Sequence, residues 1–277
     1  MGVDTIDKGY EVAEVAKHVD FINMMAYDLH GAWEKTVGHN APLFARENEE
    51  DKQATLNVDY AVRYWIHLGA PSEKLVLGLG TYGRAFTLAK SSKYVPGSEA
   101  KGAGVKGKFS REPGFLSFYE VCEKVQKKSW KVEWDSEAMV PYAHKGRDWV
   151  GFDNELSLII KVNYAKKMKL GGIMFWSLDL DDFTGKFCGS GKNPLMKAAN
   201  DALYKSGIEE IDTLNSEATK LYLSNDNFLS TADETETDET PVIEETLCHK
   251  DGYCNILNIS YLIYNIIINS RFNLSSK

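Results

Sequence analysis

Three apolar stretches of the chain, residues 21–31, 74–84 and 171–183, each end in aromatic and charged residues. The first runs through Ile22 and Met25 with almost no polar interruption before it reaches Tyr27 and Asp28. A strand that is covered on both faces shows no alternation, and in a barrel of parallel strands the carboxyl ends carry the active site. Segments with helical periodicity separate the three stretches. The pattern therefore predicts a parallel α/β sheet with strands at about residues 21–27, 75–81 and 172–178.

The polar positions between these strands predict helices and one long insertion. A helix is expected from Asn57 to Gly69, and others at residues 7–19, 117–127, 153–170 and from Pro194 onward. Almost ninety residues separate the second and third strands, which is too many for one crossover helix. This segment contains strand-like stretches at residues 130–135, 139–145 and 149–152. We therefore expect an α+β insertion at about residues 84–150.

Composition divides the 277-residue chain into a core-forming part and a polar end. Hydrophobic residues make up 43% of the chain, which is ample for a core. Of the formal net charge of -8, residues 221–277 carry all but two units. The nearly neutral remainder lacks the basic face that nucleic-acid binding requires, so we expect no nucleic-acid partner. Residues 207–246 are an acidic linker rich in Ser and Thr, in which residues 215–246 are expected to be disordered, and a tail follows at 247–277.

The three strand ends carry motifs that resemble a known enzyme family. The strings MAYDLHG (residues 25–31), GLGTYGRAF (78–86) and FWSLDLDDF (175–183) resemble the sixth, seventh and eighth strands of family 18 glycoside hydrolases, the chitinase family. The resemblance implies that residues 1–206 form an incomplete (β/α)8, or TIM, barrel with the chitinase insertion domain. It also implies that the chain begins after strands one to five. The family's Asp-Gly-x-Asp-x-Asp-Trp-Glu signature, which supplies the general acid, occurs nowhere in the 277 residues.

The same resemblance implies roles for the residues at the strand ends. Tyr27 would donate a hydrogen bond to a substrate N-acetyl oxygen, and Asp28 would bind the distorted sugar and orient its acetamide group. Trp176 would form the floor of the cleavage subsite, because an aromatic face packs well on a pyranose ring. The remaining wall and neighbouring-subsite residues would be Met25, Tyr82, Arg84 and Trp33. Met25 has an alternative interpretation as plain barrel core, since inward-facing strand residues mostly fill the interior.

Three functional hypotheses follow for a chain of this kind. The resemblance implies a glycosidase that cleaves chitin or N-acetylglucosamine oligomers by substrate-assisted, retaining hydrolysis without a cofactor. Because the catalytic glutamate is absent, this chain alone is expected to be inactive. The alternative is a non-catalytic, lectin-like chitin-binding protein, and a third possibility is a defective gene product. Asp179, Asp181 and Asp182 could suggest a metal cluster, but the resemblance makes them turn and loop residues, so no metal site is expected.

The cysteines bear on the compartment of the protein. The resemblance implies a disulfide between Cys122 and Cys188, which needs an oxidising compartment, and therefore implies an extracellular protein. The first residues contain no signal peptide, so we expect that the natural N-terminus is missing. Cys248 and Cys254 lie in the tail, which is either a truncated chitin-binding module or a misread end. The apolar run at residues 256–268 is too short and too rich in Asn to span a bilayer.

Overall fold

The computed structural model describes residues 3–127 and 130–225. The part of the predicted linker after residue 225 and the tail at 247–277 lie outside the described residues. In chain order the helices are α1 (Val3–Gly9), α2 (Val12–His18), α3 (Val58–His67), α4 (Phe118–Gln126), α5 (Glu155–Lys167), α6 (Pro194–Tyr204) and α7 (Ile211–Asn225). The strands are β1 (Ile22–Met24), β2 (Leu75–Gly80), β3 (Tyr82–Leu88), β4 (Ala100–Ala103), β5 (Phe115–Ser117), β6 (Lys131–Asp135), β7 (Val140–Lys145), β8 (Asp148–Gly151) and β9 (Gly172–Trp176).

The predicted parallel sheet is confirmed, with strand order β1-β2-β9. Met24 pairs with Leu77, and Gly80 pairs with Trp176 at the opposite edge of β2. The central strand β2 is buried along its whole length, which explains why its sequence shows no polar alternation. Helix α5 packs against β9 on the outside of this sheet, as expected for part of a (β/α)8 barrel. The chain thus places the carboxyl ends of three adjacent strands at one edge.

Strand β1 is shorter than predicted. The sequence predicted residues 21–27, but pairing ends at Met24, and the Ala26 amide donates to the Met24 carbonyl at 2.9 Å. The backbone therefore turns away from the sheet before it reaches Tyr27. A Cβ atom on Gly78 would lie 2.2 Å from the Met24 oxygen, so the close approach of these two backbones requires glycine. The early end of β1 moves Tyr27 and Asp28 from a strand into a turn.

The helix boundaries follow the local signals in the sequence. The Asn57 side chain accepts a hydrogen bond from the Tyr60 amide at 2.8 Å and begins α3. Gly69, with φ of 100°, ends it. Asn154 caps the start of α5, within the predicted range of 153–170, and Pro194 occupies the first turn of α6. These helix boundaries are confirmed. They were predictable because the residues that set each boundary lie within a few positions of it along the chain.

The insertion is an antiparallel sheet with one helix, as predicted. Its strand order is β4-β3-β8-β7-β6, and β5 also pairs with β3. Strand β3 begins directly after β2 and carries Tyr82 and Arg84 from the barrel sheet into the insertion. Helix α4 starts with a capping box in which the Ser117 and Glu120 side chains bond the turn reciprocally. The insertion therefore extends from Tyr82 to Gly151, close to the predicted range of 84–150.

The disulfide implied by the resemblance is present. Cys122 on α4 is bonded to Cys188, which lies in the loop after β9, and their Cα atoms are 4.9 Å apart. The bridge joins residues 66 positions apart in the sequence. It therefore ties the insertion to the loop that follows the third parallel strand.

The prediction that disorder begins at residue 215 is wrong for residues 215–225, which belong to helix α7 (Ile211–Asn225). Ile211, Leu214 and Ala218 are buried along one side of this helix. The Trp134 indole donates to the Asn215 side chain at 2.8 Å and stacks on Tyr222 at 5.8 Å. The segment is polar on average, but its few apolar residues recur at helical spacing and form one buried side. Helix α7 packs against β6 through this part of the chain.

A buried ion pair joins α5 to the loop after β1. The Lys161 ammonium donates to both carboxylate oxygens of Asp153, at 2.6 and 2.7 Å, and to the Ala41 carbonyl at 2.6 Å. The Lys161 residue is only 1% exposed. Burial lowers the pKa of Lys161, and the Asp153 carboxylate opposes that shift. The pair therefore depends on having both partners present.

We expect Lys161→Met to lower the free energy of unfolding by about 3–5 kcal/mol, because it leaves the Asp153 carboxylate buried without its cation. Urea unfolding followed by tryptophan fluorescence measures the change. The matched control is Lys197→Met, which removes an exposed pair with Asp201 (2.7 Å) and should cost less than about 1 kcal/mol. Equal effects of the two substitutions would contradict the proposed importance of the buried pair.

Candidate functional site

The turn after β1 presents Asp28 at the carboxyl edge of the sheet. Asp28 has φ of 57°, a left-handed conformation that Asp adopts more readily than most residues. Its amide donates to the Asn40 side chain at 3.0 Å. The turn leaves the Asp28 carboxylate partly exposed to solvent. Local backbone geometry thus directs this side chain out of the core.

Two side chains from β3 hold the Asp28 carboxylate. The Tyr82 hydroxyl donates to Asp28 Oδ1 at 2.7 Å, and Arg84 donates to the same oxygen from Nε and lies 2.7 Å from it through Nη2. Burial raises the pKa of Tyr82, and the charge of Asp28 raises it further, so this hydroxyl remains a donor. Burial lowers the pKa of Arg84, but the bond and charge of Asp28 outweigh it and the net pKa is raised. The sequence predicted these three residues for the site, and the structure brings them together.

Arg84 is surrounded by aromatic rings. Its guanidinium carbon lies 5.4 Å from the centroid of Trp33, 5.6 Å from that of Tyr82 and 5.5 Å from that of Phe115. Phe115 also stacks on Tyr82, with centroids 4.8 Å apart. Phe115 was not predicted from the sequence, and it reaches the site because β5 pairs with β3 in a register that sets Phe115 beside Arg84. A strand register formed within the insertion has no local signal in the sequence.

Tyr27 lies beneath this cluster with an unpaired hydroxyl. The residue is 4% exposed, and its hydroxyl oxygen has no hydrogen-bond partner in the part of the chain that the structure describes. Its ring meets Tyr82 edge-on at 6.0 Å, and a Cβ atom on Gly78 would come within 3.0 Å of it. Burial raises the pKa of Tyr27 to about 12, with a further contribution from the charge of Asp28. Buried polar groups are normally paired, so this hydroxyl needs an explanation.

Large side chains at the strand ends are exposed around the cluster. Trp176 is 57% exposed, Trp33 is 62% exposed and Met25 is 46% exposed. The Trp176 carbonyl accepts from the Thr81 amide at 3.0 Å, which anchors the end of β9 to the start of the β2–β3 turn. The exposed indoles of Trp33, which lies beside Arg84, and of Trp176, at the end of β9, offer apolar surface at the carboxyl edge of the sheet.

The aspartates after β9 organise the loop that carries Cys188. Asp182 accepts hydrogen bonds from the amides of Gly185, Phe187 and Cys188 at 2.8–2.9 Å. Burial raises the pKa of Asp182, but these hydrogen bonds outweigh it and the net pKa is lowered. Asp181 accepts from the Met196 amide at the start of α6 at 3.0 Å. Residues 3–127 and 130–225 contain no group of three His, Cys, Asp or Glu side chains placed to hold a metal ion.

Comparisons with known proteins identify what this arrangement is similar to. The model of the family "Glycosyl hydrolases family 18" matches residues 1–181. Oviduct-specific glycoprotein of Sus scrofa is 46% identical over 203 residues, which are 73% of this chain and 37% of that protein. Among solved structures, human YKL-39, described as a pseudo-chitinase with retained chitooligosaccharide binding properties, has a TM-score of 0.71 at 45% identity and covers 74% of this chain and 56% of its own.

A second solved structure is Ostrinia furnacalis Group IV chitinase in complex with allosamidin. It has a TM-score of 0.70 at 44% identity, over 73% of this chain and 55% of its own. The chain thus spans about a third to a half of the lengths of the proteins that it matches. The described helices include none that is long and apolar enough to cross a membrane.

We expect Tyr27→Phe to leave the free energy of unfolding unchanged or to raise it by up to about 1 kcal/mol, because it removes a buried hydroxyl that has no partner in the described structure. Tyr82→Phe is the matched control. It removes a 2.7 Å bond to a carboxylate and should lower the free energy of unfolding by roughly 1.5–3 kcal/mol. Urea unfolding measures both, and a comparable loss in the two variants would show that the Tyr27 hydroxyl is paired.

Tyr27→Phe is also expected to change how the free energy of unfolding depends on alkaline pH. Because the pKa of Tyr27 is about 12 in the fold, whereas an unfolded tyrosine titrates near 10, the unfolded chain loses this proton first. The contribution of the Tyr27 proton to the free energy of unfolding is therefore fully present below about pH 10, and it is lost as the pH rises through 12. Tyr27→Phe should therefore show a shallower decline over that range.

Proposed function

The chain belongs to the glycosyl hydrolases of family 18, and from this premise we propose that its exposed cluster binds chitin or N-acetylglucosamine oligosaccharides. The observation that carries the proposal is the Tyr27 hydroxyl, which has no hydrogen-bond partner among the described residues, beside an Asp28 carboxylate held by Tyr82 and Arg84. An N-acetyl group supplies both complements, since its carbonyl accepts from a hydroxyl and its amide donates to a carboxylate. The similar proteins described as binding chitooligosaccharides or bound to allosamidin support the same ligand class.

Each side chain in the proposed site has a distinct task. Tyr27 donates to the N-acetyl oxygen, and Asp28 accepts from the acetamide nitrogen. The fixed pairing of Asp28 with Tyr82 and Arg84 reduces the cost of ordering this carboxylate when sugar binds. Trp176 carries the sugar ring on its exposed face and Trp33 does so in the neighbouring subsite. Met25 lies directly after β1, two residues before Tyr27, and contributes apolar contact.

Hydrolysis requires an acid as well as this binding surface. In the proposed reaction the acetamide oxygen attacks the anomeric carbon while a carboxylic acid protonates the departing oxygen. General acid catalysis contributes roughly 10²–10⁴ in rate, and no Asp-x-x-Asp-x-Asp-x-Glu string occurs in the 277 residues. Asp28 does not substitute, because reaching the departing oxygen would break its bonds to Tyr82 and Arg84 and release the acetamide. We therefore assign to the residues of this chain the binding of the sugar and the positioning of its acetamide group, and not the protonation of the departing oxygen.

The protein in its full context is either a chitinase or a non-catalytic chitin-binding protein. The first of these is the function that the family resemblance implies, and human YKL-39, described as a pseudo-chitinase with retained chitooligosaccharide binding properties, is an example of the second. A glutamate supplied by further polypeptide would favour the enzyme. The Cys122–Cys188 bridge supports an oxidising, extracellular location in both cases.

Isothermal titration with tetra-N-acetylchitotetraose tests the binding proposal. We expect Trp176→Ala to weaken affinity about tenfold or more, since loss of one stacking aromatic costs on the order of 1.4 kcal/mol. Trp130→Ala is the matched control, because Trp130 is half-buried under Lys124 on the insertion and should leave affinity unchanged. Wild-type protein that binds no chitooligosaccharide would refute the proposed function.

A fluorogenic assay tests whether the chain hydrolyses chitooligosaccharides. We expect the 277-residue chain to release no measurable fluorophore from a chitobiose or chitotriose conjugate, because the leaving oxygen is not protonated. Asp28→Ala is assayed in parallel. Turnover by the wild type that disappears in this variant would show that another group has replaced the missing glutamate.

A further inference from the structure

We propose that Asn40 is a positioning residue of this site, which sets the distance between the turn that carries Asp28 and the strand that carries Tyr82. The inference rests on the proposed function only for the ligand that the site binds. The hydrogen bonds that support it are formed within the chain and involve no ligand. Asn40 lies twelve residues beyond Asp28 in the loop after β1, and its own buried side chain is not part of the exposed cluster.

Asn40 contacts both segments at once. Its Oδ1 accepts from the Asp28 amide at 3.0 Å, and its Nδ2 donates to the Tyr82 carbonyl at 3.2 Å. Its own carbonyl accepts from the Leu29 amide at 3.0 Å. The residue is 1% exposed. One buried amide therefore satisfies backbone groups on two separate segments.

These contacts close a ring of hydrogen bonds. The ring runs from the Asp28 amide through the Asn40 side chain to the Tyr82 backbone, and returns through the Tyr82 hydroxyl to the Asp28 carboxylate at 2.7 Å. A shift of the Asp28 turn would break the bond at its amide and the bond at its carboxylate together. The left-handed conformation of Asp28 makes such a constraint necessary, because a residue with a side chain does not prefer it.

The amide of asparagine suits this position chemically. One end must accept from an N–H group and the other must donate to a carbonyl, so only one orientation of the amide satisfies both partners. An aspartate of the same shape would keep the first bond and set an oxygen against the Tyr82 carbonyl. Gly80 leaves room for the group, since a Cβ atom there would lie 3.2 Å from the Asn40 nitrogen.

Asn40 is itself held on both sides. The preceding His39 pairs with Asp135 of the insertion at 3.0 Å, and the carbonyl of the following Ala41 accepts from Lys161 at 2.6 Å. The position of Asn40 is therefore set by the insertion and by α5 rather than by a bound sugar. This is the arrangement expected of a group that supports a binding residue from behind.

The test compares Asn40→Ala with Asn163→Ala. Asn163 is also 1% exposed and also bonds two backbone groups, the Ile159 carbonyl at 3.0 Å and the Glu209 amide at 2.8 Å, but it lies on α5 away from the cluster. Amide hydrogen exchange is measured without sugar, and titration with tetra-N-acetylchitotetraose follows. We expect Asn40→Ala to accelerate exchange of the Asp28 amide at least tenfold and to weaken affinity about tenfold, whereas Asn163→Ala changes neither.

The two arms separate the outcomes. If Asn40→Ala lowers stability as Asn163→Ala does but leaves Asp28 exchange and affinity at wild-type values, Asn40 is merely structural and the proposal is overturned. If the wild type binds no sugar, the proposed function fails while the exchange result still decides the role of Asn40. If Asn40→Ala does not fold, Asn40→Asp replaces it. That variant sets an oxygen against the Tyr82 carbonyl and should weaken affinity about tenfold, and wild-type affinity in it would overturn the proposal.

Discussion

The segment from His39 to Leu43 is the constraint on which the other parts depend, because it bonds the insertion, two helices and the site. His39 reaches Asp135 at 3.0 Å, and the Leu43 amide donates to the Ala138 carbonyl at 2.8 Å, so the insertion is fastened twice. The Ala41 carbonyl receives the Lys161 ammonium of α5, and the Pro42 carbonyl accepts from the first residue of α3. Buried bonds of this kind are costly to leave unmade, and the segment therefore has little freedom to move.

The proposed site combines rigid polar groups with exposed aromatic faces. Asp28 is held by charge-assisted bonds from Arg84 and by Tyr82, and Arg84 is in turn enclosed by aromatic rings. The Tyr27 hydroxyl, in contrast, has no partner in the described structure. A site that orders its acceptor in advance and keeps a donor unpaired loses little entropy on binding and gains a hydrogen bond that the unbound state lacks.

The insertion contributes to the site as well as covering the sheet. Strand β3 starts at the barrel edge and continues into the insertion, so Tyr82 belongs to the edge of the parallel sheet while Arg84 pairs with Phe115 and with Gly151. The Cys122–Cys188 bridge then connects the same insertion to the loop after Trp176. Movement of the insertion relative to the barrel strands would therefore disturb Arg84 and the surroundings of Trp176 together.

The sequence by itself determined the features that depend on neighbouring residues. The three parallel strands follow from unbroken apolar runs. The Asn57 cap bonds within a single turn, and Pro194 suits the first turn of its helix because no amide donor is needed there, so these helix starts were also predictable. The motifs around Tyr27 and Asp28 named the candidate site. Only the tertiary structure decided that β1 ends early, that residues 211–225 dock as a helix, and that Phe115 and Asn40 join the site. The Asn40 bond to Tyr82 spans 42 positions and the pair of His39 with Asp135 spans 96, and contacts at such separations depend on how the chain folds back rather than on any local pattern.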